Sequence, residues 1–306
     1  MSYQAILSNS TLNKTQKAKA LFSLGYSRRE VATWITNGNY GFAHNIWKKW
    51  LECQPVTPVI NTPFEFTFQR TFGIELEIYG PSRTTLLQKL RAEGINVEGE
   101  GYNHSTRGHW KIVTDSSIRG ENGNEIVSPV LSGVEGIEQI KKVCIALGKA
   151  GAKVNKSCGF HVHLGANDLN VDNMKTLVRS YMNLENSIDT IMPESRRGNN
   201  NTYCKNLSSV PGIQSKVQNA AAIINLQTAF GGRYFKLNLQ SITRHGTVEF
   251  RQHSGTITFS KIKNWLLICA RMVEFAKLNG VVTSMNPFLN ESLQDYVNDR
   301  AIDVAV

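Results

Sequence analysis

Two strand-like segments of this 306-residue chain carry paired side chains that could bind a metal ion or a phosphate. Glu75 and Glu77 are separated by one residue, and so are His161 and His163. Because side chains alternate between the faces of a strand, each pair projects into one space. Two buried carboxylates repel each other unless a cation neutralises them. The alternatives are a solvent-facing strand for the glutamates and, for the imidazoles, a structural pair or the H-x-H of a zinc hydrolase.

Two further segments add charged side chains that could act beside these pairs. Asp115 follows a predicted strand and Glu125 opens the next one, so both could complete a divalent-cation site. Asp-Ser-Ser is equally ordinary turn chemistry. Glu249, Arg251 and His253 alternate along another predicted strand and are expected to share a face. An acid beside an arginine is commonly an ion pair, but near the other clusters it becomes a metal ligand beside a phosphate clamp.

The elements that must position these residues are short strands mixed with helices. Alternation predicts strands over FTFQRTFGIELEIYG, near 110–113 and 125–127, over CGFHVHLG, and along RYFKLNLQSI and TVEFRQHS. Helical periodicity predicts helices over 84–92, 136–150, 172–192, about 213–229, and 259–279. This order predicts an α+β domain with an antiparallel-leaning sheet and helices on one face.

The first 60 residues form a basic segment of their own. Seven basic and two acidic side chains leave a balance of +5 there, half of the formal net charge of +10. Residues 15–50 are predicted to form three short helices, with turns at Gly25 and Gly38 and a capping box opened by Ser27. That order is typical of helix-turn-helix modules. Nucleic-acid contacts would come from Arg28, Arg29, Tyr40, His44, Asn45, Lys48 and Lys49. The alternative is a docking bundle with solvated lysines.

Cysteine usage and apolar runs indicate the compartment and the domain organisation. Five scattered cysteines without a CxxC pair argue against a disulfide framework and a structural zinc site. The sequence shows neither an apolar run long enough to span a membrane nor the apolar core of a signal peptide at its start. A cytoplasmic protein is expected. Three prolines within 53–63 predict a linker between a helical module over 1–52 and a second domain over 64–306.

In their order along the chain, the motifs FGIELE, TDSS…NEIVSP, CGFHVH and R-x4-E-x-R resemble the amidoligase family of the glutamine-synthetase and glutamate–cysteine-ligase superfamily. The resemblance implies a curved antiparallel sheet with helices on its outer face, lining a funnel for ATP and two or three Mg²⁺ (or Mn²⁺) ions. It implies a carbon–nitrogen ligase that joins small-molecule or peptide carboxylates and amines through an acyl phosphate. Many members of the family are encoded by phages, which implies a host cytoplasm for such members.

The resemblance also implies roles for individual residues. The metal ligands would be Glu75, Glu77, Asp115, Glu125, His161 and Glu249. The contacts with the nucleotide phosphates would be His161, His163, Arg244 and Arg251. The catalytic residues around the transferring phosphoryl group would be Arg244, Glu249 and Arg251. The loop ESRRGNNNTYC supplies candidate substrate contacts at Arg196, Arg197, Asn201 and Tyr203.

Three other functions stay open at this point. A guanidino phosphotransferase would share the core, but it favours phosphate-binding arginines over an acidic funnel. A DNA-binding regulator whose C-terminal domain only binds a nucleotide would not need intact acidic and arginine positions. A zinc hydrolase built on His161 and His163 could add His245 and His253, but the E-x-E strand would then be unexplained.

Overall fold

The computed structural model describes residues 3–24, 26, 28–52 and 69–305 of the chain. Its contacts separate two compact units, Met1–Glu65 and Phe66–Val306. Gly25, Ser27, the proposed linker 53–63 and the first part of the first predicted strand (66–68) lie outside the described residues. The linker and the two predicted helix caps therefore stay predictions.

Short helices form the described part of the first unit: α1 (Tyr3–Ser8), α2 (Lys14–Ser23), α3 (Arg28–Ile35) and α4 (Tyr40–Glu52). Helices α2 to α4 confirm the three predicted ones, whereas α1 was not predicted, because its six residues are too short to display a helical period. The unit has its own apolar core, which includes Ile6, Leu21, Val31, Ala43 and Ile46.

A seven-stranded sheet organises the second unit. Its strands are β1 (Phe72–Ile78), β2 (Val97–Gly99), β3 (Trp110–Thr114), β4 (Asn124–Val127), β5 (Gly159–Gly165), β6 (Leu237–Asn238) and β7 (Thr247–Ser254). They lie in the order β2-β3-β4-β1-β5-β7-β6. Every neighbouring pair is antiparallel except β2 with β3. The predicted mixed domain with a mostly antiparallel sheet is confirmed.

Helices cover the apolar face of this sheet. The α-helices described over residues 69–305 are α5 (Arg83–Ala92), α6 (Gly133–Lys149), α7 (Val171–Asp189), α8 (Ile213–Gln218), α9 (Ile223–Phe230), α10 (Gln240–His245), α11 (Phe259–Leu278) and α12 (Glu291–Asp303). Ile74, Leu76 and Ile78 of β1 are buried in one core with side chains of α5, α6, α7 and α11. The intervening residues of β1, including the two glutamates, therefore face the other side. No helix within the described ranges is long and apolar enough to cross a membrane.

Two segments depart from the predicted elements. RYFKLNLQSI is extended only at Leu237–Asn238 and continues as α10, because Asn238 Oδ1 accepts a hydrogen bond from Gln240 N (2.8 Å) and turns the chain into the helix. The single helix predicted over 213–229 is two helices, α8 and α9, since Asn225 Oδ1 accepts from Ala222 N (3.0 Å) and starts a second helix. Strand β2 and helix α12 were not predicted.

A bulge in β7 changes which of its side chains share a face. It lies opposite His161, where the register between β5 and β7 shifts. The extra residue resets the alternation, so His253 does not face the same side as Glu249 and Arg251. Its ring packs against Trp265 with centroids 5.6 Å apart, and burial lowers the pKa of His253 to about 3. The predicted shared face is therefore wrong for His253.

Candidate active site

Four strands bring the predicted acidic and imidazole residues to one face of the sheet. In the pairing of β1 with its neighbours, Glu75 lies opposite His161 and Glu77 lies opposite Glu125. Strand β7 adds a further glutamate directly opposite His163. Residues that are up to 174 positions apart in the numbering, from 75 to 249, thus meet only in the assembled sheet.

Five carboxylates form what we call the acidic floor of a cavity of about 1180 Å³: Glu75, Glu77, Asp115, Glu125 and Glu249. Three overlapping groups offer ligand atoms that all lie within 4.8 Å of one another. These groups are Glu77 with Asp115 and Glu125, Glu75 with Glu125 and His161, and Glu75 with His163 and Glu249. Each group contains two or three hard oxygen ligands, which Mg²⁺ prefers in proteins.

The two histidines stand among these carboxylates. His161 Nδ1 lies 2.9 Å from Glu75 Oε2, and its Nε2 lies 3.7 Å from Glu77 Oε1. His163 Nδ1 is hydrogen-bonded to Thr247 Oγ1 (2.9 Å). Its Nε2 lies 3.3 Å from Glu75 Oε1, but the atom is buried and makes no well-aligned hydrogen bond within the described ranges. A buried imidazole nitrogen in this position can bind a metal ion or a phosphate.

Crowding shifts the pKa values of the acidic floor in opposite directions. Burial, followed by repulsion from Glu75 and Glu77, raises the pKa of Glu125 well above its usual range. Burial would also raise the pKa of Glu75, but the contacts with His161 and His163 outweigh it and hold that pKa well below its usual range. Such a cluster is unfavourable by itself, and a divalent cation would relieve the repulsion. The donor set therefore fits Mg²⁺ or a similar hard cation.

Neighbouring groups hold two of the floor carboxylates in place. Glu77 Oε2 accepts a hydrogen bond from Gly159 N (2.5 Å). A Cβ at Gly159 would lie 2.9 Å from the nearest imidazole nitrogen, so only glycine fits without a shift. Glu249 accepts hydrogen bonds from Asn238 Nδ2 and from Arg251 Nη1, both at 2.5 Å. These contacts fix the directions in which the carboxylates point.

Arginines line the same cavity. Arg244 comes from the last turn of α10, and Arg251 comes from β7. Arg233 lies in the segment after α9. Arg196 is 3 % exposed and donates to Cys158 O (2.6 Å), while its Nε has no hydrogen-bond partner among the residues that the structure covers. The cavity therefore combines a floor that suits cations with guanidinium groups that suit phosphate or carboxylate.

Aromatic side chains complete the lining. Tyr102, Tyr203 and Tyr234 all line the cavity and are 59 %, 49 % and 42 % exposed. The rings of Tyr203 and Tyr234 meet edge to face with centroids 5.4 Å apart. The guanidinium carbon of Arg233 lies 5.3 Å from the centroid of the Tyr234 ring. Exposed rings inside a polar cavity provide a surface on which a planar group can stack.

Two of the residues predicted from the polar loop lie outside the cavity. Arg197 donates to Met192 O (2.7 Å) and to Val304 O (3.2 Å), so it ties the loop to other parts of the chain. Asn201 Oδ1 accepts from Tyr203 N (2.8 Å) and shapes a local turn. Both residues stabilise the conformation of the loop, whereas the other two predicted substrate contacts, Arg196 and Tyr203, line the cavity.

Sequence reasoning missed the cavity residues on two loops. Residues 100–109 contribute Tyr102 and His104, and the segment after α9 contributes an arginine and a tyrosine. The 100–109 loop is held down by Lys111, which is 3 % exposed and whose Nζ donates to the carbonyls of Asn103 (3.1 Å) and Ser105 (2.9 Å). A lysine inside the apolar strand WKIVT was the available signal for this contact.

A smaller cavity of about 300 Å³ adjoins the acidic floor. Glu75, Glu125 and His163 line both cavities. The smaller one is also lined by residues 103–106 of the same loop, by Lys111 and Ser128, and by apolar residues such as Val127 and Val130. It offers a second space beside the same carboxylates.

The candidate nucleic-acid residues of the first unit fall into two groups. Arg28 is buried, with its guanidinium carbon 4.4 Å from the Trp47 ring centroid and its Nη1 donating to His44 Nδ1 (2.8 Å). Tyr40 and His44 are half-buried. The exposed members are Arg29, Asn45, Lys48 and Lys49. Only this second group faces solvent.

The comparison with protein families identifies a match for most of the second unit. A family model described as "Putative amidoligase enzyme" matches residues 69–273, more than half of the chain. The matched range contains every carboxylate of the acidic floor, both floor histidines and the four cavity arginines. None of the curated proteins compared with the chain matches it.

Proposed function

The chain belongs to the amidoligase family, and we propose that it is a Mg·ATP-dependent carboxylate–amine ligase with a glutamine-synthetase-like catalytic domain. The observation that carries this proposal is the meeting of the acidic floor with four arginines in one cavity. Cations and guanidinium groups around the same space suit phosphoryl transfer, in which the protein mainly positions and neutralises charge.

The acidic floor supports two neighbouring cation positions. Glu77, Asp115 and Glu125 would hold one Mg²⁺, and Glu75 with Glu249 and an imidazole would hold another. The buried Nε2 of His163, which makes no well-aligned hydrogen bond within the described residues, and the raised pKa of Glu125 both fit a site completed by cations. When bound, Mg²⁺ would neutralise the phosphate oxygens and orient them.

The other walls of the cavity support the nucleotide. Arg244 and Arg251 would neutralise the charge that develops on the transferring phosphoryl group. Arg233 and Tyr234 would hold the base, since both a guanidinium and an exposed ring stack on planar groups. The cavity volume of about 1180 Å³ exceeds the ~1,000 Å³ upper range of ordinary ligand pockets, which leaves room for a second substrate. The smaller adjoining cavity extends that room.

In the proposed reaction, a carboxylate oxygen of the donor attacks the γ-phosphorus of ATP, and the bond from phosphorus to the ADP oxygen breaks. The amine nitrogen then attacks the acyl carbon, and the carbon–oxygen bond to phosphate breaks. The proton released by the nitrogen passes to an ionised carboxylate of the cavity. ADP, phosphate and an amide are the products. Little covalent chemistry falls to the protein, and Arg251, held by Glu249, supplies a fixed positive charge.

The alternatives explain less of the same cavity. A guanidino phosphotransferase would leave most of the five floor carboxylates without a role. A zinc hydrolase would need several imidazoles at one point, yet none of the three groups above includes more than one histidine. His253 lies in the core and is not available to it.

A thermal-shift titration tests the proposal. Mg·ATP should raise the melting temperature of the wild type, because a ligand that prefers the folded state stabilises it. The Glu75→Gln/Glu77→Gln double variant should lose this shift. Glu138→Gln, at an exposed glutamate on α6, should keep it. A shift from ATP alone that survives in the double variant would contradict the proposed site, and a shift from Zn²⁺ alone would favour a hydrolase.

A further inference from the structure

The turn between α3 and α4 has a fixed conformation. Asn37 and Gly38 have φ of 52° and 82°, in the left-handed region that reverses the chain sharply. The Thr36 hydroxyl lies 2.7 Å from Asn39 O. Asn39 Oδ1 accepts from Phe42 N (2.9 Å), which caps the start of α4. The angle at which α4 leaves α3 is therefore set by hydrogen bonds within the turn.

A buried arginine joins the inner sides of the same two helices. Arg28 of α3 lies over the Trp47 ring of α4 and donates to His44 one turn earlier. Ala43 and Ile46 of α4 are buried in the core of the unit. One side of α4 therefore packs into the core of the unit, and the opposite side is exposed to solvent.

The outer side of α4 is exposed and basic. Phe42, Asn45 and Lys49 follow one another at helical spacing, and Lys48 lies next to them. Phe42 is 47 % exposed. Residues 40–50 of α4 include no acidic residue, although the helix ends at Glu52, and Arg29 of α3 is exposed as well. We call the exposed side of α4, formed by Phe42, Asn45, Lys48 and Lys49, the outer face.

We propose that the outer face binds duplex DNA, with α4 in the major groove. A helix with its side chains is about 10 to 12 Å across, which fits a groove about 12 Å wide, and the thirteen residues of α4 make it about 20 Å long. Lys48 and Lys49 would contact phosphates, and Asn45 carries the amide that pairs with adenine in this groove. Phe42 would meet a thymine methyl group.

Charge and shape favour DNA over the other polyanionic or protein partners. Lysine is depleted at protein–protein interfaces, whereas two adjacent lysines and an asparagine dominate the outer face. The major groove of A-form RNA is too deep and narrow for a helix to read. This inference does not depend on the ligase proposal, since it uses only residues of the first unit.

Fluorescence anisotropy with the full-length protein and a labelled duplex of about 20 base pairs tests the inference. Binding should weaken as salt rises from about 50 to 200 mM, because phosphate contacts release counterions. Lys48→Glu/Lys49→Glu should weaken binding at least about tenfold. The neutral pair Lys48→Gln/Lys49→Gln should lower the slope of log K against log salt by about 2, near 0.9 per lost contact. All four substitutions are at exposed positions, so the fold should persist.

A matched control variant distinguishes DNA binding by the outer face from a general effect of the net charge of the protein. Lys141→Glu/Lys142→Glu reverses two adjacent exposed lysines on α6 and should leave the affinity within about twofold of the wild type. The inference is overturned if the wild type binds no duplex at low salt, if both double reversals weaken binding equally, or if an RNA duplex of the same length competes equally well.

Discussion

Replacing Glu125 with glutamine should have opposite effects on the protein with and without its ligand. One ligand atom each from Glu77, Asp115 and Glu125 lies within 4.8 Å of the others. Two like charges at that distance repel by ~3.5 kcal/mol at an effective dielectric constant of 20. Partial protonation of Glu125 relieves some of this repulsion. We therefore expect Glu125→Gln to stabilise the metal-free protein by about 1 to 3 kcal/mol near pH 7.

The pH determines when Glu125→Gln is more stable than the wild type. The folded pKa of Glu125 lies above its ordinary value of 4.5. The contribution of Glu125 to wild-type stability is therefore fully present below its unfolded pKa and is lost as the pH rises through its folded pKa. The glutamine variant cannot ionise, so its advantage should be present near pH 7 and should disappear near pH 4.

Chemical denaturation in EDTA at both pH values measures the gain, and Glu138→Gln serves as the exposed control. Saturating Mg·ATP should then reverse the order of stability, since the wild type should gain roughly 3 to 4 kcal/mol at 100 to 1,000 times its Kd, whereas Glu125→Gln should gain little. A variant that is less stable than the wild type in EDTA near pH 7 would refute the electrostatic reasoning. So would an equal gain near pH 4 and pH 7.

Three further substitutions probe other parts of the site. Gly159→Ala should weaken Mg·ATP binding at least about tenfold in calorimetry, because its Cβ would lie 2.9 Å from an imidazole nitrogen. The control Gly148→Ala should leave the binding unchanged, since a Cβ at Gly148 would have no atom within 4 Å. Tyr234→Ala should reduce the preference for Mg·ATP over magnesium tripolyphosphate by about tenfold, in line with the ~1 to 3 kcal/mol of base stacking, and equal losses for both ligands would exclude a base contact. Lys111→Met should speed proteolysis within 100–109, since it leaves loop carbonyls without their donor; unchanged cleavage would mean that the loop is held elsewhere.

The sequence predicts four residues of the acidic floor well because Glu75, Glu77, Glu125 and Glu249 lie on strands, whereas Asp115 follows the end of one. FGIELEI places both glutamates of β1 on one face, and GFHVHLG does the same for the histidines of β5. Their apolar alternates must be buried, so a slip of one residue would expose the core. In β1 and β5, local patterning alone therefore determines which side chains turn towards the cavity.

The remaining parts depend on contacts that local patterning does not contain. The bulge that turns His253 into the core arises from the pairing of β5 with β7, which are about 90 residues apart in the sequence. The 100–109 loop has no periodicity, and tertiary contacts such as those with Lys111 hold it where Tyr102 lines the cavity. Likewise, Arg28 has the appearance of a surface cation in the sequence, and its burial follows from packing against Trp47.

A crystal structure with Mn²⁺ and a non-hydrolysable ATP analogue tests the central claim most directly, because Mn²⁺ substitutes for Mg²⁺ and is located by anomalous scattering. We expect anomalous peaks within about 2.0 to 2.3 Å of oxygens of Glu77 and Glu125, with a second peak at Glu75. The terminal phosphate should lie within hydrogen-bond distance of Arg244 or Arg251. A nucleotide bound outside the cavity, or one bound there with no metal at these carboxylates, would contradict the account.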